Sequence, residues 1–312
     1  MMSRPDISVV VVSDYAAGAA QSWNDLRGTL TALAQQDGKV NAEWLLCENE
    51  ASARSMPDDI RRMLPNLKLV LSDKGGSYEL KNAGFRAATA DIVAMLDADC
   101  VPAGNWLKSA VAAMNARPQM AIISGRTVYP PAGLTERILS LLSRSYVDRG
   151  KSGPTRFISN NNSIWRRDVY LKYPLPSGLG PFAGRMQSES IIRAGYQLWF
   201  DPSIRVVHDF EGWAMESDIR RNTGYGTVIA RLHDPDMPQA WLTKLGVFSI
   251  PVFAGGKIVD SWRDCVRCAS AFGVRWFQLP LALLGSVVVH LMEIPGMWQA
   301  FRRKAISETQ YR

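Results

Sequence analysis

Ile92-Val93-Ala94-Met95-Leu96-Asp97-Ala98-Asp99-Cys100 is an apolar run that ends in two carboxylates one residue apart. A short continuous run of this kind predicts a strand covered on both faces. A strand core does not keep two ionised carboxylates without compensating positive charge. The pair therefore belongs at the carboxyl end of the strand, where open α/β sheets bind ligands. There the carboxylates can hold a hard divalent cation, and the cation can hold a diphosphate. The competing reading is an Asp-rich turn that simply closes a strand.

The residues on either side of this stretch alternate between strand and helix patterns. Ile7–Ser13, Glu43–Cys47 and Leu67–Leu71 read as strands, and Ser22–Gln35, Ile60–Leu64 and Tyr78–Ala90 as helices. Downstream, Trp106–Ala116 reads as a helix and Met120–Ser124 as a strand. Such alternation predicts a parallel sheet with right-handed crossovers. Beyond it the pattern is less regular. Thr127–Pro131, Phe157–Trp165, Gln197–Phe200 and Ile204–His208 read as strands. Leu134–Tyr146, Gln187–Ala194 and Glu216–Leu232 read as helices, the last with a basic face. Tyr173–Gly184, rich in Pro and Gly, reads as a loop beside the site.

The chain has 312 residues, 47% of them hydrophobic, and a formal net charge of +7. This suits a large α/β domain with a C-terminal addition, and it favours anionic partners such as nucleotide diphosphates or acidic lipid headgroups. The basic residues are scattered and carry no nucleic-acid-binding motif, which argues against nucleic acid. Cys47, Cys100, Cys265 and Cys268 do not make a disulfide framework, and Cys265 and Cys268 lack the second ligand pair of a zinc site. With no signal-peptide pattern at the start, the expected location is cytoplasmic. Trp276–Met292 is nearly free of charge and is flanked by Trp276, Trp298, Arg275 and Arg302-Arg303-Lys304. Apolar length with aromatic and basic flanks predicts peripheral contact with the cytoplasmic face of a membrane through residues 276–292; the alternatives are a buried helix and a dimer interface.

By the order and spacing of its motifs, the chain resembles the family 2 glycosyltransferases over about residues 6–232. The resemblance implies a GT-A-type fold, a mostly parallel sheet flanked by helices, here with a C-terminal helical, partly apolar extension. It divides the chain into a GT-A domain, 1–235, and a C-terminal region, 236–312; within the domain, 1–125 would bind the nucleotide sugar and 126–235 the acceptor. Asp97-Ala98-Asp99 takes the place of the family's Asp-x-Asp, which binds Mg²⁺ or Mn²⁺ and through it the sugar-nucleotide diphosphate. Val206-Val207-His208-Asp209 resembles the strand whose terminal His is a metal ligand, so Asp97, Asp99 and His208 form the implied metal set. Ser13 ends the first strand, and Glu48 stands where the family's acid contacts the base. Lys81 takes a place often held by Arg, and Asn82-Ala83-Gly84 resembles the family's Asn-x-Gly. Asn162-Ser163-Ile164-Trp165-Arg166-Arg167 is similar to the element beside acceptor and donor sugar, and Arg220-Arg221-Asn222-Thr223-Gly224-Tyr225-Gly226 to the Arg-rich helix that meets the diphosphate. The implied nucleotide-sugar contacts are thus Ser13, Glu48, Lys81, Asn82, Asp97, Asn162, Arg220 and Arg221.

An inverting transferase needs a carboxylate to take the acceptor's proton. The family's acid would fall at Ala183-Gly184, where there is none. Glu189 is the nearest candidate base and Asp209 the reserve. The reading is a metal-dependent, inverting transfer from a nucleotide-diphosphate sugar to a saccharide or lipid-linked acceptor. Its alternative is an impaired relative that binds nucleotide sugar as a scaffold or regulatory subunit. A sugar-phosphate nucleotidyltransferase would carry basic residues in the loop after the first strand, and Ser13-Asp14-Tyr15-Ala16-Ala17-Gly18 carries none. The Gly-x-Gly-x-x-Gly of a dehydrogenase is absent there too.

Overall fold

The computed structural model describes residues 4–302 except 14–22, 74–75, 131–132, 178–181 and 209–212. Asp209, the centre of the Tyr173–Gly184 stretch, and Arg303-Lys304 lie outside the described residues.

The chain begins with β1 (Ile7–Val12), α1 (Asn24–Ala34), β2 (Ala42–Asn49), α2 (Glu50–Ala53), β3 (Lys68–Ser72), α3 (Ser77–Ala87) and β4 (Ile92–Asp97). Then follow β5 (Cys100–Pro102), α4 (Trp106–Ala116), β6 (Met120–Val128), α5 (Leu134–Arg144), β7 (Gly153–Thr155), β8 (Asn162–Arg166) and α6 (Arg167–Lys172). The second half closes with α7 (Ala183–Arg193), β9 (Gln197–His208) and α8 (Trp213–His233). The C-terminal region holds a kinked 3-10 segment (Ala240–Ser249), α9 (Ile250–Cys268), α10 (Leu279–Leu291) and α11 (Ile294–Phe301).

One nine-stranded sheet runs β3-β2-β1-β4-β8-β6-β9-β5, with β7 on the outer part of β9. β1, β2, β3 and β4 are mutually parallel, as the alternation predicts. β8 enters antiparallel between β4 and β6 and joins the second half to the first. Its residues Asn162–Trp165 are buried, which only an interior strand explains. Two pairs of expected strands merge. Met120–Ser124 and the beginning of the Thr127–Pro131 run, as far as Val128, form the single β6, and Gln197–Phe200 and Ile204–His208 the single β9. These partners run parallel across an irregularity at Gly125 and Arg126, where β9 carries the extra residues between Asp201 and Arg205. A bulge interrupts the apolar pattern without ending the ladder, so sequence periodicity reports two strands.

The sheet core lies in two layers: one under α1 and α4, around Val9, Leu30, Leu96 and Trp106, the other under α3 and α6, around Val10, Phe85, Trp165 and Tyr170. Gly84 packs α3 onto the sheet; a Cβ there would overlap the Val10 side chain and the Cys47 Sγ. Cys265 and Cys268 belong to a further cluster with Leu139, Leu142 and Val289, which seats α9 and α10 on α5. All four cysteines are buried free thiols.

Candidate active site

The carboxyl ends of β1, β2 and β4 converge at Ser13, Glu48 and Asp97. Just past β4, the chain returns as β5 and pairs antiparallel with the end of β9, setting Cys100 opposite His208. That register brings together two residues far apart in sequence: His208 Nε2 lies 3.2 Å from Asp99 Oδ2. On the other side, Asp97 Oδ1 is 2.9 Å from Lys81 Nζ, which α3 carries into the interior. The two carboxylates therefore face different partners, while about a quarter to a third of each side chain stays exposed (27% and 31%).

Electrostatics follow from these partners. Burial pushes the Asp97 carboxyl above its usual range, and the Lys81 ammonium only partly offsets it. At Asp99 burial acts the same way, but the charge and hydrogen bond of His208 prevail and hold that carboxyl well below the usual range. Asp99, Cys100 and His208 have ligand atoms within 4.8 Å of one another. Burial, then Asp99 and Asp97, push the Cys100 thiol well above its ordinary range, so it remains a neutral thiol. A carboxylate beside an imidazole suits Mn²⁺ or a similar divalent cation, whereas a protonated thiol contributes little. Asp99 and His208 thus fit a metal site directly, whereas Asp97 is turned to Lys81 and stands outside that cluster.

Several expected ligand contacts are turned inward. Asn162 is fully buried: its Oδ1 accepts from Trp106 Nε1 at 2.9 Å, and its Nδ2 donates to the carbonyls of Arg126 and Ile204. These bonds tie β8 to α4, β6 and β9, so Asn162 is a scaffold residue and not a sugar contact. Asn82 likewise spends its amide on both backbone groups of Leu175 and on the Tyr170 hydroxyl. It fixes the loop after α6 from within and is not turned to a nucleotide sugar. Arg220 is buried against Glu216 and Ser143, with Glu293 at 3.9 Å. Its guanidinium is neutralised inside the protein, where a diphosphate was expected to meet it. Arg221 is more exposed and pairs with Asp218. The Glu48 carboxylate is fully buried and accepts from the Asn49 backbone N–H at 2.7 Å. Ser13 Oγ is buried and has no hydrogen-bond partner among the described residues.

Glu189 sits in α7 in the grip of two arginines, Arg185 at 2.6 Å and Arg156 at 3.6 Å. Both carboxylate oxygens face guanidinium groups, which is the arrangement of a structural ion pair. At Gly184, where the family's acid would fall, a Cβ would overlap the Asn160 side-chain nitrogen. Asn160 occupies that space, and its buried Oδ1 has no partner among the described residues.

Sequence reasoning missed Tyr129 and Arg144. The Tyr129 ring lies edge-on to His208 with centroids 5.9 Å apart, and the Arg144 guanidinium lies 5.9 Å from the Tyr129 centroid. Arg144 ends α5 and its charge reaches Cys100. It was legible only as a basic residue in the last turn of a helix, a common choice for dipole reasons.

The sequence profile of glycosyl transferase family 2 matches residues 10–173, just over half of the chain. Glycosyltransferase AglE of Haloferax volcanii is 25% identical over 154 residues, 46% of this chain and 48% of that protein. The match thus spans about half the length of this curated relative. Among solved structures, mannosyltransferase PcManGT from Pyrobaculum calidifontis, in complex with GDP-Man and Mn²⁺, superposes with a TM-score of 0.61 at 18% identity, covering 97% of this chain and 89% of that one. A structure of GalNAc-T7 with UDP, GalNAc and Mn²⁺ gives a TM-score of 0.53 at 16% identity, over 74% and 51% of the two chains.

Proposed function

The chain belongs to glycosyl transferase family 2, and on that premise we propose that it transfers a sugar from a nucleotide-diphosphate donor to a saccharide or lipid-linked acceptor, with inversion at the anomeric carbon. The observation that carries this reading is the convergence of Asp99 and His208 beside the Asp97–Lys81 pair at the carboxyl end of the sheet. Asp99 and His208, with Asp97, would hold Mg²⁺ or Mn²⁺; the named structural neighbours contain Mn²⁺ with a nucleotide sugar or with UDP and GalNAc. When bound, the ion offsets negative charge on the leaving diphosphate. The residues of the chain do the rest. Lys81 pairs with Asp97 and orients it, and Tyr129 packs the ring of His208 in place. Arg144 is the arginine positioned to meet the diphosphate, in the role first expected of Arg220 and Arg221. Ser13 and Glu48 line the base side of the donor pocket, and Asn160 faces the acceptor side.

Residues 1–235 form the catalytic unit in this reading, and 236–312 the part that meets a membrane at its cytoplasmic face. Two stretches, Ala240–Phe272 and Trp276–Phe301, are long and apolar enough to cross a bilayer by length and composition. Their exposed residues fall in stripes: Trp241, Leu245, Phe248, Val252, Val259, Trp262 and Val266 on one, Leu281, Leu284, Val288 and Leu291 on the other. The opposite faces pack on α5 and α8. One apolar stripe per helix, with an ion pair of Lys257 and Glu293 behind it, supports the reading that these helices lie in the interface and do not cross it.

A second reading, nucleotide-sugar binding without turnover, is favoured by the ion pairs that hold Glu189 and by the glycine at 184. Calorimetric titration of nucleotide diphosphates and their sugar conjugates, with and without Mn²⁺, tests the donor site. Binding that depends on Mn²⁺ and disappears in Asp99→Ala supports it, and silence with every nucleotide refutes it. Turnover of the bound sugar conjugate then separates transferase from scaffold.

A further inference from the structure

Between β7 and the end of α9 lies a cavity of about 710 Å³ lined by Arg149, Lys151, Arg156, Phe157 and Arg267. None of these residues belongs to the motifs of the donor site. Four cations line it; the acids near them are Asp264, which pairs with Arg149 at 2.5 Å, Glu189, 3.6 Å from Arg156, and Asp148, which is spent on Arg126. Lys151 and Arg267 form no ion pair among the described residues, and both are exposed. Such a surplus of guanidinium and ammonium groups around one concavity is an anion site, and arginine forks match phosphate oxygens in particular.

Position narrows the ligand further. Arg267 follows Val266, which is 66% exposed and ends the apolar stripe of α9. Trp262 Nε1 donates to the Leu283 carbonyl at 3.1 Å, which sets the stripes of α9 and α10 side by side. The cavity therefore stands where a broad apolar face meets a cationic pocket. On its inner side Phe157, capped by Arg185 at 4.4 Å, begins the segment that runs to Asn161. The Asn161 carbonyl accepts from the Asp97 backbone N–H. One short stretch of chain thus leads from the cavity to the donor centre.

We propose that Arg149, Lys151, Arg156 and Arg267 form a binding site for the phosphate of a membrane-embedded amphiphile, whose apolar chain lies against the α9–α10 face. This rests on the reading of the protein as a transferase with a lipid-linked acceptor. The same chemistry is offered by an acceptor lipid's phosphate and by a bulk phospholipid headgroup, and vesicle composition separates the two.

Full-length protein is to be titrated with vesicles of phosphatidylcholine alone, of phosphatidylcholine with phosphatidylglycerol, and of phosphatidylcholine with a polyprenyl monophosphate. Wild type is expected to favour phosphate-bearing anionic vesicles over pure phosphatidylcholine. Lys151→Gln/Arg267→Gln is expected to weaken that binding about tenfold or more, from the usual gain per basic residue at such a surface. Arg61→Gln/Arg62→Gln removes the same charge from an exposed turn of the GT-A half and is expected to change it less than about twofold. Preference for the prenyl phosphate assigns the pocket to the acceptor; equal binding to phosphatidylglycerol assigns it to the headgroup. Wild-type affinity in the Lys151/Arg267 variant, or an equal loss in the Arg61/Arg62 variant, overturns the site. Mn²⁺-dependent nucleotide binding by wild type is measured separately, so a failure of the transferase reading registers there and a failure of the phosphate site registers on the vesicles.

Discussion

Asp97 and Asp99 stand one residue apart, yet their environments drive them in opposite directions, Asp97 toward Lys81 and Asp99 toward His208. The residue identities were legible from sequence, but partner choice was not, because Lys81 and His208 come from elements distant in the chain. The three asparagines 160–162 make the same point. Asn162 looked like the ligand contact and is a buried bracket, while the Asn160 carbonyl oxygen is without a partner among the described residues. Arginines divide likewise. Arg144→Ala is expected to weaken nucleotide-diphosphate binding by about tenfold or more with little change in Tm, the usual scale for one charge-assisted contact. Arg220→Ala is expected to lower stability by about 3 kcal/mol in thermal unfolding, because it removes the ion-pair partner of Glu216 in the interior. Outside the site, Glu43 of β2 joins β1, β3 and the turn before β4 through Ser8, Lys68 and Thr89. Burial opposes its ionisation, but those hydrogen bonds overcome it and lower its pKa to about 2. A depressed carboxylate contributes stability above its unfolded value of about 4.5, and that contribution fades as pH falls toward 2. Glu43→Gln is expected to flatten the acid limb of a stability–pH curve by about 2 kcal/mol. An unchanged limb would remove Glu43 from that account.

At the level of elements, the longer helices of the α/β part were marked by periodicity, but the short α2 and α6 and the three-residue β5 and β7 were not, and only the end of the 157–165 run is strand, in β8. β6 and β9 each looked like two strands because their shared bulge breaks the pattern of both at one place. α7 begins earlier than its apolar spacing suggests, at Ala183, since its first turn packs Gly184 against Asn160 and needs no large apolar residue there. Glycines at crossings were equally opaque. Gly224 of α8 meets the Glu293 backbone, and Gly296 of α11 meets the backbone of Arg221, so the two helices touch main chain to main chain. Gly224 appeared as part of an Arg-rich Tyr-Gly motif, and its structural use is this close approach. Gly224→Ala is expected to lower stability by about 1–3 kcal/mol and to loosen α11 in hydrogen exchange, the range seen for overpacked interiors. Wild-type protection of α11 in that variant would show that the contact gives way freely.

For the whole molecule, the large question is what covers the outer face of α9 and α10. Phe248 and Trp276 are 83% and 86% exposed, and Val252, Val266, Leu281 and Leu284 between them are each more than half exposed. Soluble monomers rarely leave so broad an apolar surface open. Replacing Val252, Leu284 and Val288 with Asp is expected to reduce vesicle binding at least tenfold and leave the Mn²⁺-dependent nucleotide titration unaltered; retained vesicle binding would dismiss the in-plane docking. The sequence by itself determined the α/β alternation, the placement of Asp97-Ala98-Asp99 at a strand end, and the apolar character of the C-terminal region. Those features are local: burial of a strand, the desolvation of a carboxylate and the length of an apolar run are read from neighbours along the chain. Only the tertiary structure decided which polar groups are spent on the protein and which remain for a ligand. Antiparallel pairing of β5 with β9 puts His208 at Asp99, α3 delivers Lys81 to Asp97, and α5 brings Arg144 beside Tyr129 while α8 keeps Arg220 inside. A side chain's availability depends on every element packed around it, and no spacing along one strand or helix carries that information.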